Sequence, residues 1–189
     1  MNPENAGDNA ISQQRILAES TARLSLRNRI LERLLGLYGS TPVRARLQED
    51  LLDIAMEAVP CEASSLFLRT TKKGDLALVA ARGRVGDKVK GLRLKPGQGI
   101  AGACLGDRRA IAVTHAAQDS RHEAQVDKAF GFQTRSLLAV PLLLRETAVG
   151  VLELVNRQGT GEFQRHEVDL VERIARAAGD LLNRAEGKR

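Results

Sequence analysis

The sequence predicts an α+β domain, one antiparallel sheet with helices on both faces. Three observations carry this. Before Pro60 and after Phe163, apolar residues recur at three- and four-residue spacing, the period of a helix face. Between those points they fall into short apolar runs broken by glycine and charged turns, which read as strands. The strands are grouped together and the helices sit at the two ends, so the order is not the alternation that a parallel α/β sheet needs. Of 189 residues, 43% are hydrophobic and 28% charged, enough for one packed core and an appendage.

Residues 1–10 are polar and read as a loose, disordered tail; Glu4 and Asp8 there exclude a signal peptide. A helix is expected over 11–38. Leu17, Leu24, Leu31 and Tyr38 repeat every seven residues, supported by Leu34 and Leu35, a stripe suited to a partner helix. Ser40-Thr41-Pro42 offers a polar cap and a first-turn proline for a second helix, which runs to Val59 and stops at Pro60. Ser65–Leu68 and Leu76–Ala80 are strands joined by the hairpin-type Thr71–Asp75 connection. Leu92 and Leu94 suggest a short strand. A helix of small residues follows over Ile100–Leu105, and Ala110–Val113 is a further short strand. Residues 114–134 are polar and irregular, with one helical turn near Glu123–Phe130; a segment of that length inside a compact domain is functional or mobile. Leu137–Leu144 and Val149–Val155 are the last strands. The closing helix, about Phe163–Ala185, carries Val171, Ile174, Ala178, Leu181 and Ala185 at helical spacing, a second seam for a bundle.

Composition narrows the function. No apolar run reaches the roughly 20 residues of a membrane span. Four Phe, one Tyr and no Trp are poor material for stacking nucleic-acid bases. The net charge is +6, and nine Lys or Arg fall between Arg69 and Lys95 against Asp75 and Asp87. That cluster reads first as solvated hairpin loops and second as a docking face, so a nucleic-acid partner is not expected. Cys61 and Cys104 lie far apart and read as reduced thiols. His115, Asp119, His122 and Glu123 could hold a metal, but their spacing matches no zinc or helical metal motif, and no metal site is expected. Pro96-Gly97-Gln98-Gly99-Ile100-Ala101-Gly102 is a turn entering a helix without bulky side chains. It could expose backbone N–H groups to a ligand, or simply allow tight helix-on-sheet packing.

The same residues carry a resemblance. The Pro96–Gly102 turn, Asp119-Ser120-Arg121 with Val126-Asp127, the run Gly131–Leu142, and Gly150–Arg157 resemble, in this order, the GAF domains. They are most similar to those of cyclic-nucleotide phosphodiesterases and bacterial signalling proteins. The resemblance covers about Val43–Ala185 and implies a GAF domain over 40–186 with an extra N-terminal helix. It implies an antiparallel sheet of five to six strands with helices on both faces, and a regulatory role through ligand binding or dimerisation. Residues 114–134 would be the lid. Asp127, Thr134 and Glu153 match positions that contact ligand in the cyclic-nucleotide-binding relatives. Ser65, Ala81, Ile100, Ala101, Glu123, Val126 and Phe130 match other pocket-lining positions. Asp127 and Thr134 would meet a purine edge. Plainer roles stay open: a helix charge for Asp127, a loop cap for Thr134, a surface strand position for Glu153. Two departures count against a nucleotide. His122-Glu123 stands where relatives often place an aromatic, and Phe130 replaces a small polar residue. Asn156, Arg157, Phe163 and Glu167 match a structural signature outside the pocket, with an Arg–Glu pair in place of Lys–Asp.

The expected function is a small-molecule-binding sensor module in bacterial signal transduction, with a cyclic nucleotide or another small ligand in the pocket. The alternative is an interaction scaffold with no ligand. A homodimer is expected through the first and last helices, with output through a separate signalling protein, since 189 residues leave no room for an output domain. Catalysis is not expected. The enzyme known on this fold, a free methionine sulfoxide reductase, needs clustered cysteines, and this chain has two that are far apart. Arginine outnumbers lysine, 22 to 7, which with the absence of a signal peptide suggests a bacterial cytoplasmic protein.

Overall fold

The computed structural model describes residues 3–40, 43–71, 73–84, 86–89 and 91–186. The order is α1 (Pro3–Gly39), α2 (Arg44–Ala58), β1 (Cys61–Arg69), β2 (Leu76–Gly83), β3 (Arg93–Leu94), α3 (Gly99–Asp107), β4 (Ile111–Val113), α4 (Ala124–Phe130), β5 (Leu137–Leu144), β6 (Thr147–Arg157) and α5 (Arg165–Glu186). Six strands form one antiparallel sheet in the order β3-β2-β1-β6-β5-β4. The expected α+β architecture is present, with helices on both faces.

Strand alternation builds two cores from the same strands. On one face Leu66, Leu138, Val140, Leu152 and Leu154 pack against α2, α5 and the end of α1. On the other face Phe67, Ala139, Val151 and Val155 pack against α3. β6 shows the split in three consecutive residues: Leu152 and Leu154 turn to the helices, and Glu153 turns the other way.

Three expectations about the helices are corrected. First, α1 starts at Pro3, so the expected loose tail is helical from that residue on; Met1 and Asn2 lie outside the described residues. Second, Val43 occupies the α2 N-cap with no side-chain bond, while Ser40 Oγ donates to Leu37 O at 3.2 Å and caps the end of α1 instead. Thr41 and Pro42 lie outside the described residues. Third, the α5 seam needs no second chain: Val171, Ile174, Ala178 and Leu181 are at most 5% exposed inside their own domain.

The α1 seam divides. Residues 11–25 are exposed throughout, and Leu17, Leu24, Leu31 and Leu35 face solvent. Ile30 and Leu34 are buried in the domain core. Tyr38 leaves the seam: its hydroxyl donates to Ala177 O at 3.4 Å, and Arg184 lies 5.4 Å from its ring. A seven-residue repeat drifts about 20° per heptad on a straight helix, so about 60° separates Leu17 from Tyr38. That rotation carries the end of the stripe onto α5. Arg29 and Arg33 clamp Glu57 of α2 at 2.8 and 2.5 Å.

Candidate functional site

β1 and β6 run antiparallel with Ser65 opposite Glu153. Directly opposed residues have Cβ atoms about 5 Å apart, and here Ser65 Oγ donates to Glu153 Oε2 at 3.0 Å. Glu153 is 9% exposed. Its role as a surface strand residue is therefore excluded. Burial pushes its carboxyl from an ordinary 4.5 up to about 7, against the opposing pull of the Ser65 hydrogen bond. The group is poised between its charged and neutral forms near neutral pH.

α3 stands over this carboxyl. Its first turn is shaped by glycine: Gly99 has φ +70°, and a Cβ on Gly102 would stand 2.6 Å from Gly97 C. The close approach of Gly102 is packing, while Ile100 and Ala101 face a cavity, so the small residues of this turn serve both purposes. Cys104 on the same helix is fully buried, and burial with the nearby Glu153 charge pushes its thiol upward.

The cavity has a volume of about 120 Å³. All ten sequence-predicted positions line it: Ser65, Ala81, Ile100, Ala101, Glu123, Val126, Asp127, Phe130, Thr134 and Glu153. Sequence reasoning missed Ala63, Phe67, Val155, His122 and Phe132, which also line it. The first three were legible from alternation, since Ala63 and Phe67 flank Ser65 and Val155 follows Glu153 at period two.

α4 and its flanks form the outer wall, and no residue of α4 is buried. Arg121 holds the turn before it with Nε and Nη2 donating to Asp119 at 2.9 and 2.6 Å. That hydrogen bonding keeps the Asp119 carboxyl at about 2. Asp127 and Thr134, expected to meet a purine edge, bond each other here. Thr134 N–H and Oγ1 both donate to Asp127 at 2.7 Å, and His122 Nε2 lies 3.2 Å from the same carboxylate.

The signature residues fall outside the cavity wall. Asn156, with φ 57°, is 1% exposed, and its side-chain amide bonds Arg135 N, Ser136 N, Gln133 O and Glu62. Arg157 donates to Glu167 through Nε and Nη2, each at 2.8 Å. Burial pushes the Glu167 carboxyl up, but Arg157 and Gln164 N–H outweigh it and hold it below its ordinary value. Phe163 packs in the helix-side core.

Elsewhere, Arg82 of the basic cluster is paired with Glu49 and Asp53, each at 2.9 Å, while Lys72 and Lys90 lie outside the described residues. Cys61 and Cys104 are free and belong to different cores. Burial pushes the Cys61 thiol to about 11. Among the described residues no helix is long and apolar enough to cross a membrane, and no cluster of metal-ligating side chains forms.

The family model described as GAF domain matches residues 44–182. A probable 3',5'-cyclic phosphodiesterase of Caenorhabditis elegans is 28% identical over 145 residues, 72% of this chain and 20% of that protein. A cGMP-specific 3',5'-cyclic phosphodiesterase of Drosophila melanogaster is 28% identical over 92 residues, 48% of this chain and 8% of that protein. The chain thus spans a fifth or less of these relatives' length. Among solved structures, the GAF domain of a phosphoenolpyruvate-protein phosphotransferase from Coxiella burnetii matches with a TM-score of 0.75 at 21% identity, covering 88% of this chain and 95% of that one. A free methionine-R-sulfoxide reductase from Neisseria meningitidis matches with a TM-score of 0.72 at 17% identity, covering 89% and 94%. At these identities the structures establish the shared fold.

Proposed function

The chain belongs to the GAF domain family, whose members are regulatory modules of signalling proteins, and from that premise we propose that it is a small-molecule sensor acting as a dimer in bacterial signal transduction. The observation that carries the sensor reading is Glu153. A carboxyl 9% exposed, with one hydrogen bond at the wall of a cavity, costs stability that a purely structural position would not require. A ligand that bonds it repays that cost. The cyclic-nucleotide phosphodiesterase relatives make a cyclic nucleotide one candidate.

The dimer reading rests on α1. Thirty-seven helical residues span about 55 Å, and the exposed Leu17, Leu24, Leu31 and Leu35 form an apolar line with no cover in the monomer. A second α1 would bury it, leaving output to a partner chain in the cytoplasm. The module is not an enzyme in this reading: its two thiols lie in separate cores, both raised by burial.

A second reading has its own support. The cavity of about 120 Å³ is below the roughly 300–1,000 Å³ of ordinary small-molecule sites, and Phe130, Phe132 and the Asp127–Thr134 pair narrow it. That favours an interaction scaffold. Native mass spectrometry of the purified protein, alone and with cyclic AMP or cyclic GMP, separates the readings. A dimer carrying a small molecule supports the sensor. An empty dimer moves the weight to the scaffold, and a lone 20.5 kDa chain overturns the dimer.

A further inference from the structure

The cavity wall carries three carboxyl groups, Glu123, Asp127 and Glu153, and among its described residues no lysine or arginine. The three are not equivalent. Asp127 is engaged by Thr134 and His122. Glu123 lies against the first turn of α3: its Cγ is 3.4 Å from where a Cβ on Gly99 would stand. The leading N–H groups of a helix are where a phosphate or carboxylate ligand would settle. A side-chain carboxylate close to that turn makes it a poorer place for a second anion.

Glu153 is different again. Ser65 bonds one oxygen, and no other hydrogen bond reaches the carboxyl among the described residues. Ser65 and Ala139 stand opposite it on β1 and β5, Cys104 lies near it on α3, and Glu123, His122 and Asp127 line the same cavity from the outer wall. None of these is a free cation, since His122 is turned to Asp127. A buried acceptor in such surroundings gains most from an N–H donor, and more from a charged one. Phe67, Phe130 and Phe132 add apolar aromatic surface around it.

We propose that the cavity takes a small planar ligand without negative charge, which presents an N–H donor to Glu153 and lies against the phenylalanines, and that it rejects anions, nucleotides included. The proposal rests on the sensor reading and names the ligand class of the same site.

Calorimetry and thermal shift on the full chain test it with four probes: benzamidine, benzamide, benzoate and cyclic GMP. The first three share one flat ring and differ in charge. Benzamidine should bind most tightly and benzamide more weakly, with no shift from benzoate or cyclic GMP. Pairing with benzamidinium needs ionised Glu153, so its affinity should rise about tenfold from pH 6 to pH 8, as an acid titrating near 7 goes from about one-tenth to nine-tenths ionised. Glu153→Gln should remove that pH dependence and the preference for benzamidine over benzamide, while benzamide still binds. Ser65→Ala, a milder change, should keep the charge preference. Glu123→Gln should admit benzoate. Benzoate or cyclic GMP binding the wild type as tightly as benzamidine overturns the charge selection and leaves the sensor reading standing. No binding by any of the four overturns the proposed ligand class; the sensor reading falls with it only if the purified protein also carries no small molecule in native mass spectrometry. Equal affinity of the wild type and Glu153→Gln for benzamidine at pH 8, with benzamide binding both, overturns the role of Glu153.

Discussion

The two faces of the sheet are built by the same strands to different standards. On the helix side, Leu152, Leu154, Leu138 and Ile174 are completely buried, and the layer from α2 to α5 is continuous. On the cavity side, α3 packs firmly, but α4 buries none of its residues and is held by hydrogen bonds around Asp127. The helix face satisfies the polar groups at its edge, as at Asn156 and at Arg157–Glu167, and leaves inside it only the small Ser64 hydroxyl, opposite Leu154, without a partner among the described residues. The cavity face keeps a carboxyl inside with one bond. Stability is concentrated on one face so that the other can carry a costly polar group and a loosely attached wall. Elements that move on binding are drawn from the weakly packed end of a structure in this way.

Neighbouring residues of β6 test the contrast most strongly. Leu152→Ala should cost roughly 2–5 kcal/mol of unfolding free energy, the range for a leucine removed from a closed core. A loss below about 1 kcal/mol in chemical denaturation would mean that the helix face is not the stabilising one.

Glu153→Gln should act in the opposite direction and depend on pH. The folded carboxyl titrates near 7 and the ordinary one at 4.5. Between those values the unfolded chain has released a proton that the folded chain still holds. The contribution is therefore full below pH 4.5, declines as pH rises, and is lost above about 7. The fall amounts to about 3 kcal/mol. Subtracting the stability profile of Glu153→Gln from that of the wild type isolates it from Glu57, Glu62 and Glu167, whose lowered values act with the reverse sign. A flat difference between pH 4.5 and 7.5 would show that Glu153 is not held in a low-dielectric site.

The smallest effect is expected at the outer wall. Asp127→Ala removes the partner of Thr134 and His122, yet its helix has little packing to lose, so the global cost should be about 1 kcal/mol. Hydrogen exchange over residues 124–134 should quicken while the amides of β5 and β6 stay protected. Equal loss of protection in the strands would mean that the two faces unfold as one unit.

Much of this was legible in the chain itself. The change of period at Pro60 and after Phe163 gave the order of helices and strands, because hydrophobic periodicity is a local property of each segment. The family resemblance marked ten positions between Ser65 and Glu153 that do come together around a cavity. Periodicity cannot say which surface an apolar stripe will meet. The stripes of α1 and α5 looked alike in the sequence, and α5 is consumed by α2 and β5 while residues 11–25 of α1 are left bare. Nor can it say which polar groups will satisfy one another: Asp127 and Thr134 have each other as partners.

What the sequence alone determined, then, was the run of elements, which follows from neighbours along the chain, and, through the family resemblance its motifs carry, a set of residues able to wall a cavity. The tertiary structure decided which seam stays open, which polar pairs close, and that Glu153 holds its proton to about 7. Those outcomes depend on burial and on partners as distant as Ser65, 88 positions away, which meet only when the strands pair and α3 closes over them.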